Sequence, residues 1–122
     1  MEPGMAIEAL AALAQDARLA IFRLLVRHEP QGLAAGTIAE RLGVPAATLS
    51  FHLSQLSRAG LVVSRRESRF IIYRANLKTM RDLIAFLLDD CCQGAPEMCG
   101  FPREGAGDGT FRPVGAALPD SP

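Results

Sequence analysis

Three cysteines lie close together near the carboxyl end of the chain, and their thiols are the side chains best suited to bind a ligand. They are Cys91, Cys92 and Cys99. Adjacent residues project about 100° apart around a helix, so a third sulfur has to return over the pair from the following turn. Three thiolates without a fourth ligand suit a soft, pyramidal centre, whereas zinc normally takes four ligands. The cysteines therefore favour trivalent arsenic, As(III), or trivalent antimony, Sb(III).

Other uses of these thiols stay open. Asp89, Asp90 and Glu97 are their acidic neighbours, and negative charge at a helix C-terminus disfavours free thiolate, which argues against a fast redox cysteine. The alternatives to arsenic are a redox or persulfide switch, a soft divalent metal such as cadmium or lead, and inert thiols.

The cysteine pair ends a predicted helix over residues 77–92. An apolar stripe along this helix continues onto Cys91, while Leu83 and Phe86 point elsewhere. Apolar residues on two sides imply one contact with the domain's own core and one with a partner's helix, although a helix buried only in its own domain is the alternative. Together with the first helix, the stripe predicts a dimer interface of Ile7, Leu10, Leu77, Met80, Ile84, Leu87 and Leu88.

Residues 37–62, TIAERLGVPAATLSFHLSQLSRAGLV, predict a helix-turn-helix. Ile38 and Leu42 lie on one apolar face of a first short helix, and Gly43 can take the positive φ of a tight turn. Pro45 suits the first position of a second helix. The inward face of that helix carries Ala46, Leu49, Leu53 and Leu56.

The opposite face of the second helix is small and polar, so it can enter a major groove and reach base edges. Phe51 is the exception, an outward aromatic that either DNA or a neighbouring loop could cover. His52 lies at the edge of the buried face, where a hydrogen bond that supports the helix is favoured over metal binding. The residues predicted to contact DNA from this helix are Thr48, Ser50, Phe51, His52, Ser54, Gln55 and Arg58.

A basic β-hairpin is predicted directly afterwards. Two β-rich runs, 61–64 and 70–73, flank a polar turn. Between residues 58 and 74 five arginines stand against Glu67 alone, whereas the whole chain has a net charge of +0. A hairpin of this kind after a helix-turn-helix is a wing that offers guanidinium groups to phosphates, the alternative being a solvated basic turn. Its predicted phosphate contacts are Arg65, Arg66 and Arg69.

These segments together resemble the ArsR/SmtB family of metal-responsive winged-helix repressors. The resemblance rests on DARLAIFRLL, TIAERLGV, TLSFHLSQLSRAGLV and the hairpin ending IIYR, and covers about residues 6 to 92. It implies a homodimer that binds an inverted-repeat operator in double-stranded DNA and releases it when an inducer binds.

The resemblance also narrows the inducer site. Ala34, Gly36 and Ala39 stand where relatives with a third-helix site have thiols, and residues 77–92 contain no histidine of the kind that zinc sensors use. What remains is similar to arsenite sensors whose adjacent cysteine pair closes the last helix, with a third cysteine following.

The remaining sequence predicts a small domain that is mainly α with one β-hairpin, a winged helix-turn-helix of about five helices and one wing. The first helix carries Ile7, Leu10, Leu13 and Ala14; the second runs from an Asp16 N-cap to about His28, with Leu19, Phe22, Leu25 and Val26 on its apolar side. We expect residues 1–94 to form the DNA-binding and dimerisation domain, and residues 95–122 a flexible tail that carries Cys99.

Several function classes are disfavoured. The sequence has no glycine-rich phosphate loop, Ser/His/Asp set or paired catalytic carboxylates, so we expect neither an enzyme nor an organic cofactor. No signal peptide or membrane span is expected, which predicts a cytoplasmic protein with reduced thiols. A module of the same fold that binds another partner instead of DNA is the rival from a different class.

Overall fold

The computed structural model describes residues 1–89. In chain order the elements of this part are α1 (Pro3–Leu13), α2 (Asp16–Arg27), β1 (Leu33–Ala34), α3 (Ala35–Leu42), α4 (Ala46–Arg58), β2 (Val62–Glu67), β3 (Phe70–Ala75) and α5 (Leu77–Leu88). The predicted winged helix-turn-helix is confirmed. The chain divides into two units between Leu83 and Ile84, and the core and wing described below belong to the first unit. The predicted boundary between residues 94 and 95 lies outside the described residues.

Helix α1 turns its small side chains inward. Ala6, Ala9 and Ala12 are buried, whereas Ile7 and Leu10 are 66% and 41% exposed. Because an alanine side chain adds little bulk, the side of α1 that faces the core can approach its neighbours closely. The larger apolar residues of α1 are left on its outer side.

Helix α2 differs from its prediction in two details. Its N-cap is Gln15, whose side-chain oxygen accepts a hydrogen bond from the Arg18 backbone N–H at 2.9 Å; the prediction of Asp16 as the cap was wrong by one residue. Leu19, predicted to be apolar core, is 44% exposed, and Val26 is only half-buried. The buried face is Ile21, Phe22, Leu24 and Leu25.

The turn between α3 and α4 forms as predicted. Gly43 adopts φ 66° and ψ 34°, the left-handed conformation that ends α3, and Val44 N–H bonds to the Ala39 carbonyl at 3.1 Å. Pro45 precedes α4 as its N-cap instead of being its first helical residue, and the adjacent Ala46 is exposed, not buried as predicted. The turn thereby fixes where the second helix begins.

The wing is longer than its sequence pattern suggested. Strands β2 and β3 pair in antiparallel register from Val62↔Ala75 to Glu67↔Phe70, so the turn contains only Ser68 and Arg69. Arg65 and Arg66 therefore lie within β2 and not in the turn. The two-residue strand β1, which was not predicted, pairs with β3 and completes a sheet of order β1-β3-β2.

A close backbone approach attaches β1 to the wing. Gly32 adopts φ +80°, and a Cβ atom at this position would lie 2.5 Å from the Tyr73 carbonyl oxygen and 2.7 Å from Arg74 Cγ. Only glycine meets both requirements without a shift of the backbone.

Asn76 joins the end of the helix-turn-helix to α5. Its side-chain amide donates to the Gly60 carbonyl at 3.0 Å and its side-chain oxygen accepts from Thr79 N–H at 3.4 Å. The same side chain therefore caps the start of α5 and ties that helix to the turn after α4.

Among the residues of α5, Leu83 is buried, in keeping with its predicted place off the partner-facing stripe. Leu77 and Met80 of the stripe are half-buried. In the second unit, Ile84 and Leu88 are half-buried and Leu87 is 52% exposed. The dimer interface itself stays a prediction. None of the helices within residues 1–89 is long and apolar enough to cross a membrane.

Replacing Gly32 with alanine should lower the free energy of unfolding by more than about 2 kcal/mol, because the left-handed conformation and the contact at Tyr73 are both unfavourable for a methyl group. Gly36→Ala in the first turn of α3 is the matched control: nothing lies within 4 Å of its added Cβ, and alanine is no less favourable than glycine in a helix. Urea unfolding followed by circular dichroism measures both variants. Equal stabilities would contradict the close approach at Gly32.

Candidate nucleic-acid interface

The outer face of α4 is polar and open. Leu49, Leu53 and Leu56 are buried on one side of the helix, so helical periodicity turns the intervening positions outward. Most of the residues of α4 that are predicted to contact DNA are exposed, namely Thr48, Ser50, Phe51, Ser54 and Arg58. Gln55 is half-buried. Phe51 is 57% exposed. The face thus offers hydroxyl groups, an amide and an aromatic ring at the positions expected of a helix that reads a major groove.

His52 does not belong to this face, and its prediction as a DNA contact is corrected. Its side chain is buried, with 7% exposure, and its Nδ1 lies 3.2 Å from Nη1 of Arg18. An arginine can only donate, so Nδ1 is the acceptor in this contact. The ring centroids of Phe51 and His52 are 5.8 Å apart. His52 therefore holds the helix from behind, in the kind of hydrogen-bonding role that its position at the edge of the buried face suggested.

The three arginines of β2 and the wing turn are not equivalent. Arg65 Nε bonds to a Glu67 carboxylate oxygen at 3.2 Å and Arg65 Nη2 to the Gln31 carbonyl at 3.1 Å. Within residues 1–89, no hydrogen bond or ion pair occupies the exposed guanidinium groups of Arg66 and Arg69. Arg66 and Arg69 are thus the wing cations available for phosphate, whereas Arg65 would first have to leave Glu67 and Gln31.

Arg74, at the base of the wing, is neutralised by an acid far away in the sequence. Its Nη2 lies 2.7 Å from a Glu29 carboxylate oxygen, and the Glu29 side chain is 13% exposed. The hydrogen bond and the charge of Glu29 raise the pKa of Arg74. The local excess of positive charge counted from the sequence is therefore smaller at the base of the wing, and the uncompensated charge lies toward its tip.

Sequence reasoning missed the supporting contacts of Arg18, Glu29 and Asn76. For Arg18 a signal existed: it is a cation in the first turn of α2, where the helix dipole disfavours positive charge, so a specific partner was to be expected. The wing also exposes Phe70 and Ile71, at 58% and 42%, which the basic composition of the hairpin did not predict.

The predicted ligand site cannot be placed on this surface. Cys91, Cys92 and Cys99 lie outside the described residues. Across residues 1–89, no group of three histidine, cysteine or acidic side chains could hold a metal ion.

A family model described as a helix-turn-helix domain matches residues 13–65. The transcriptional activator HlyU of Vibrio cholerae is 33% identical to the chain over 88 residues, which cover 72% of this chain and 79% of HlyU. The nodulation protein NolR of Rhizobium meliloti is 34% identical over 80 residues, and the chain covers 63% of its length.

Solved structures give the same picture of the fold. An ArsR-like transcriptional regulator from Rhodococcus sp. RHA1 is similar with a TM-score of 0.64 and 30% identity, covering 69% of this chain and 76% of that one. A homodimeric winged helix-turn-helix DNA-binding domain from Mycobacterium bovis, described as a possible ArsR-family regulator, has a TM-score of 0.59 and 29% identity and covers 71% of this chain and 81% of that one.

Single alanine substitutions separate the wing arginines. Arg66→Ala and Arg69→Ala should each weaken binding to all duplex sequences alike and reduce the slope of log affinity against log salt by about one unit for each phosphate that is no longer neutralised. Arg65→Ala should change the slope less, because its guanidinium is already held by Glu67 and Gln31. Fluorescence anisotropy across a salt series measures the slopes. An Arg65→Ala variant with the largest decrease in slope, beside unchanged Arg66→Ala and Arg69→Ala variants, would contradict this assignment.

Proposed function

The chain belongs to the ArsR family of winged-helix transcription regulators, and from this we propose that it is a homodimeric repressor that leaves its operator when As(III) binds Cys91, Cys92 and Cys99. The observation that carries the DNA-binding part is the presence, in one unit of the fold, of an outward polar face on α4 and of two wing arginines, Arg66 and Arg69, that have no hydrogen bond or ion pair within residues 1–89. Specific DNA binding requires both kinds of surface, because contacts with bases specify a sequence and contacts with phosphates position the protein.

Base reading is assigned to the outer face of α4. Hydroxyl groups of Thr48 and Ser50 and the amide of Gln55 can exchange hydrogen bonds with base edges, and the Phe51 ring suits the methyl group of a thymine. Arg58, which is exposed at the last turn of the helix, can reach a phosphate.

A homodimer is supported by the homodimeric relative from Mycobacterium bovis and by the apolar residues that the described chain leaves uncovered. Ile7, Leu10 and Leu87 are 66%, 41% and 52% exposed. A two-fold symmetric dimer would bring the same residues of each protomer together. It would also present two copies of α4, one from each protomer, to an inverted-repeat operator.

Release by As(III) is proposed from the chemistry of the three thiols. Arsenous acid is neutral, and each of its hydroxyl groups exchanges for a thiol with loss of one water, so that three As–S bonds replace three As–O bonds. Sb(III) reacts in the same way and is the second candidate inducer. A redox-gated repressor, or one that responds to cadmium or lead, would use the same cysteines with a different ligand.

The direction of regulation is part of the proposal. HlyU is named an activator, so a winged helix of this family is compatible with either outcome at a promoter. We assign repression because an inducer that removes the protein from DNA then switches transcription on without a further component.

Serine substitution tests the sensing site. Cys91→Ser and Cys92→Ser should leave DNA affinity without arsenic unchanged and abolish release, because neither serine can supply a soft sulfur donor. Cys99→Ser should keep a weaker response through the remaining two thiols, strongest for an arsenical with one organic substituent. Titration of As(III) into operator-bound protein, followed by fluorescence anisotropy, measures both effects.

The triple serine variant is the control for this experiment. If it still left the operator on addition of As(III), the sensing site would lie elsewhere. If wild-type protein ignored As(III) and Sb(III) but left DNA on oxidation or on addition of cadmium, the arsenic proposal would be wrong and the corresponding alternative would replace it.

A further inference from the structure

The side chain of Arg18 connects three helices. Its Nε donates to the Ala12 carbonyl in the last turn of α1 at 2.7 Å, and its Nη1 lies 3.2 Å from His52 Nδ1 on α4. Its own backbone N–H is bound by the Gln15 side chain at the start of α2. Arg18 therefore contacts the end of α1, the beginning of α2 and the inner side of α4.

Both ends of this connection satisfy groups that would otherwise lack a partner. The Ala12 carbonyl is among the last four of α1, which have no partner within their helix, and a cation is favourable at a helix C-terminus. His52 is buried at 7% exposure, so its ring nitrogen has little access to water. Arg18 thus supplies the hydrogen-bond partner at both positions.

We propose that Arg18, which lies outside the helix-turn-helix, is a positioning residue for base reading: it sets the placement of α4 through His52. The ring of Phe51, next in the chain, faces outward beside that of His52, with centroids 5.8 Å apart at an interplanar angle of 59°. A change in how His52 is held therefore acts directly on the outward face. This inference rests on the proposed DNA-binding function and adds to it a residue that makes no base contact.

The connection also gives α1 a route to α4. The outer side of α1 carries Ile7 and Leu10, which we assign to the dimer, while its last-turn carbonyl is bound by Arg18. A shift of α1 in the dimer would move the guanidinium and, with it, the support of His52. Arg18 would then couple the arrangement of the two protomers to the position of α4.

The surroundings of Arg18 allow it to be substituted without filling or emptying the core. A groove that is open to solvent adjoins it, lined by Glu8, Ala11 and Ala12 of α1 and by Gln55, Arg58 and Ala59 near the end of α4. A shorter polar side chain at position 18 can therefore be hydrated from this groove.

The test compares four variants. Arg18→Gln removes the guanidinium. His52→Asn keeps an acceptor in the place of Nδ1, because both Nδ1 and Oδ1 are bonded to Cγ, whereas His52→Gln moves the acceptor one bond farther out. Arg18→Gln/His52→Gln combines the two changes. For each variant, the affinities for a selected operator and for an unrelated duplex are measured across a salt series.

Arg18→Gln and His52→Gln should each lower the ratio of the affinity for the operator to the affinity for the unrelated duplex by about tenfold, the size expected for losing a hydrogen bond to a charged group. The slope of log affinity against log salt should stay unchanged in both variants. His52→Asn should keep close to the wild-type ratio, and the ratio of the double variant should be no lower than that of either single one. A merely structural role would lower the melting temperature without changing the ratio. An unchanged ratio in Arg18→Gln, or a slope reduced by one unit, which would indicate a direct phosphate contact, overturns the proposal.

The DNA-free protein gives an independent result. Nitrogen-15 NMR of the imidazoles should show His52 with Nδ1 unprotonated, and Arg18→Gln should shift both this resonance and the Phe51 amide; His28→Gln identifies which of the two histidines is observed. A His52 ring that carries its proton on Nδ1 would overturn the inference whether or not the protein binds DNA. Wild-type protein that fails to bind duplex DNA would instead overturn the proposed function.

Discussion

Burial of one side of α4 is the constraint on which the DNA-facing surface depends. Leu49, Leu53 and Leu56 are at most 3% exposed, and with 3.6 residues per turn their positions determine the direction of every other side chain on the helix. A slip of one residue would rotate the helix by about 100° and bring polar groups into the core, where they would lack partners. The outward positions of Thr48 and Phe51 therefore follow from apolar packing behind them, and the contact of His52 with Arg18 adds a directional bond to that packing.

Within residues 1–89, some arginines of the wing are paired with acids and others are not. Arg74 at the base pairs with the mostly buried Glu29, and Arg65 is held by an exposed Glu67. An exposed pair of the second kind contributes only about 0–1 kcal/mol by itself, but the bond of Arg65 Nη2 to the Gln31 carbonyl adds a second restraint, so Arg65 is less available to a phosphate than Arg66 and Arg69. Arg66 and Arg69 remain toward the tip. This separation explains how a chain with net charge +0 can present a local cationic surface, since acids elsewhere cancel the total without neutralising the tip.

Local sequence patterns predicted the helices and strands of the helix-turn-helix and the wing. They did not predict contacts between residues that are distant in the sequence. Leucine spacing and Gly43 were sufficient for the helix-turn-helix, because helical periodicity and a left-handed turn are encoded in adjacent residues. Strand β1 has only two residues, too few for any period to show. Arg18 and His52 are separated by 34 positions, and a side chain's partner at that distance depends on how the helices pack. The cysteine site and the dimer interface stay predictions, since the first lies outside the described residues and the second requires another protomer.

The salt dependence of DNA binding by the wild-type protein tests the central claim most directly. Affinity is measured for an operator selected from random duplexes and for an unrelated duplex. Two arginines on each wing of a dimer predict at least about four neutralised phosphates, so log affinity for both duplexes should fall against log salt with a slope of about −4 or steeper. The operator should bind at least about a thousandfold more tightly. A slope near zero, or equal affinities for the two duplexes, would contradict a wing that binds phosphates beside a helix that reads bases.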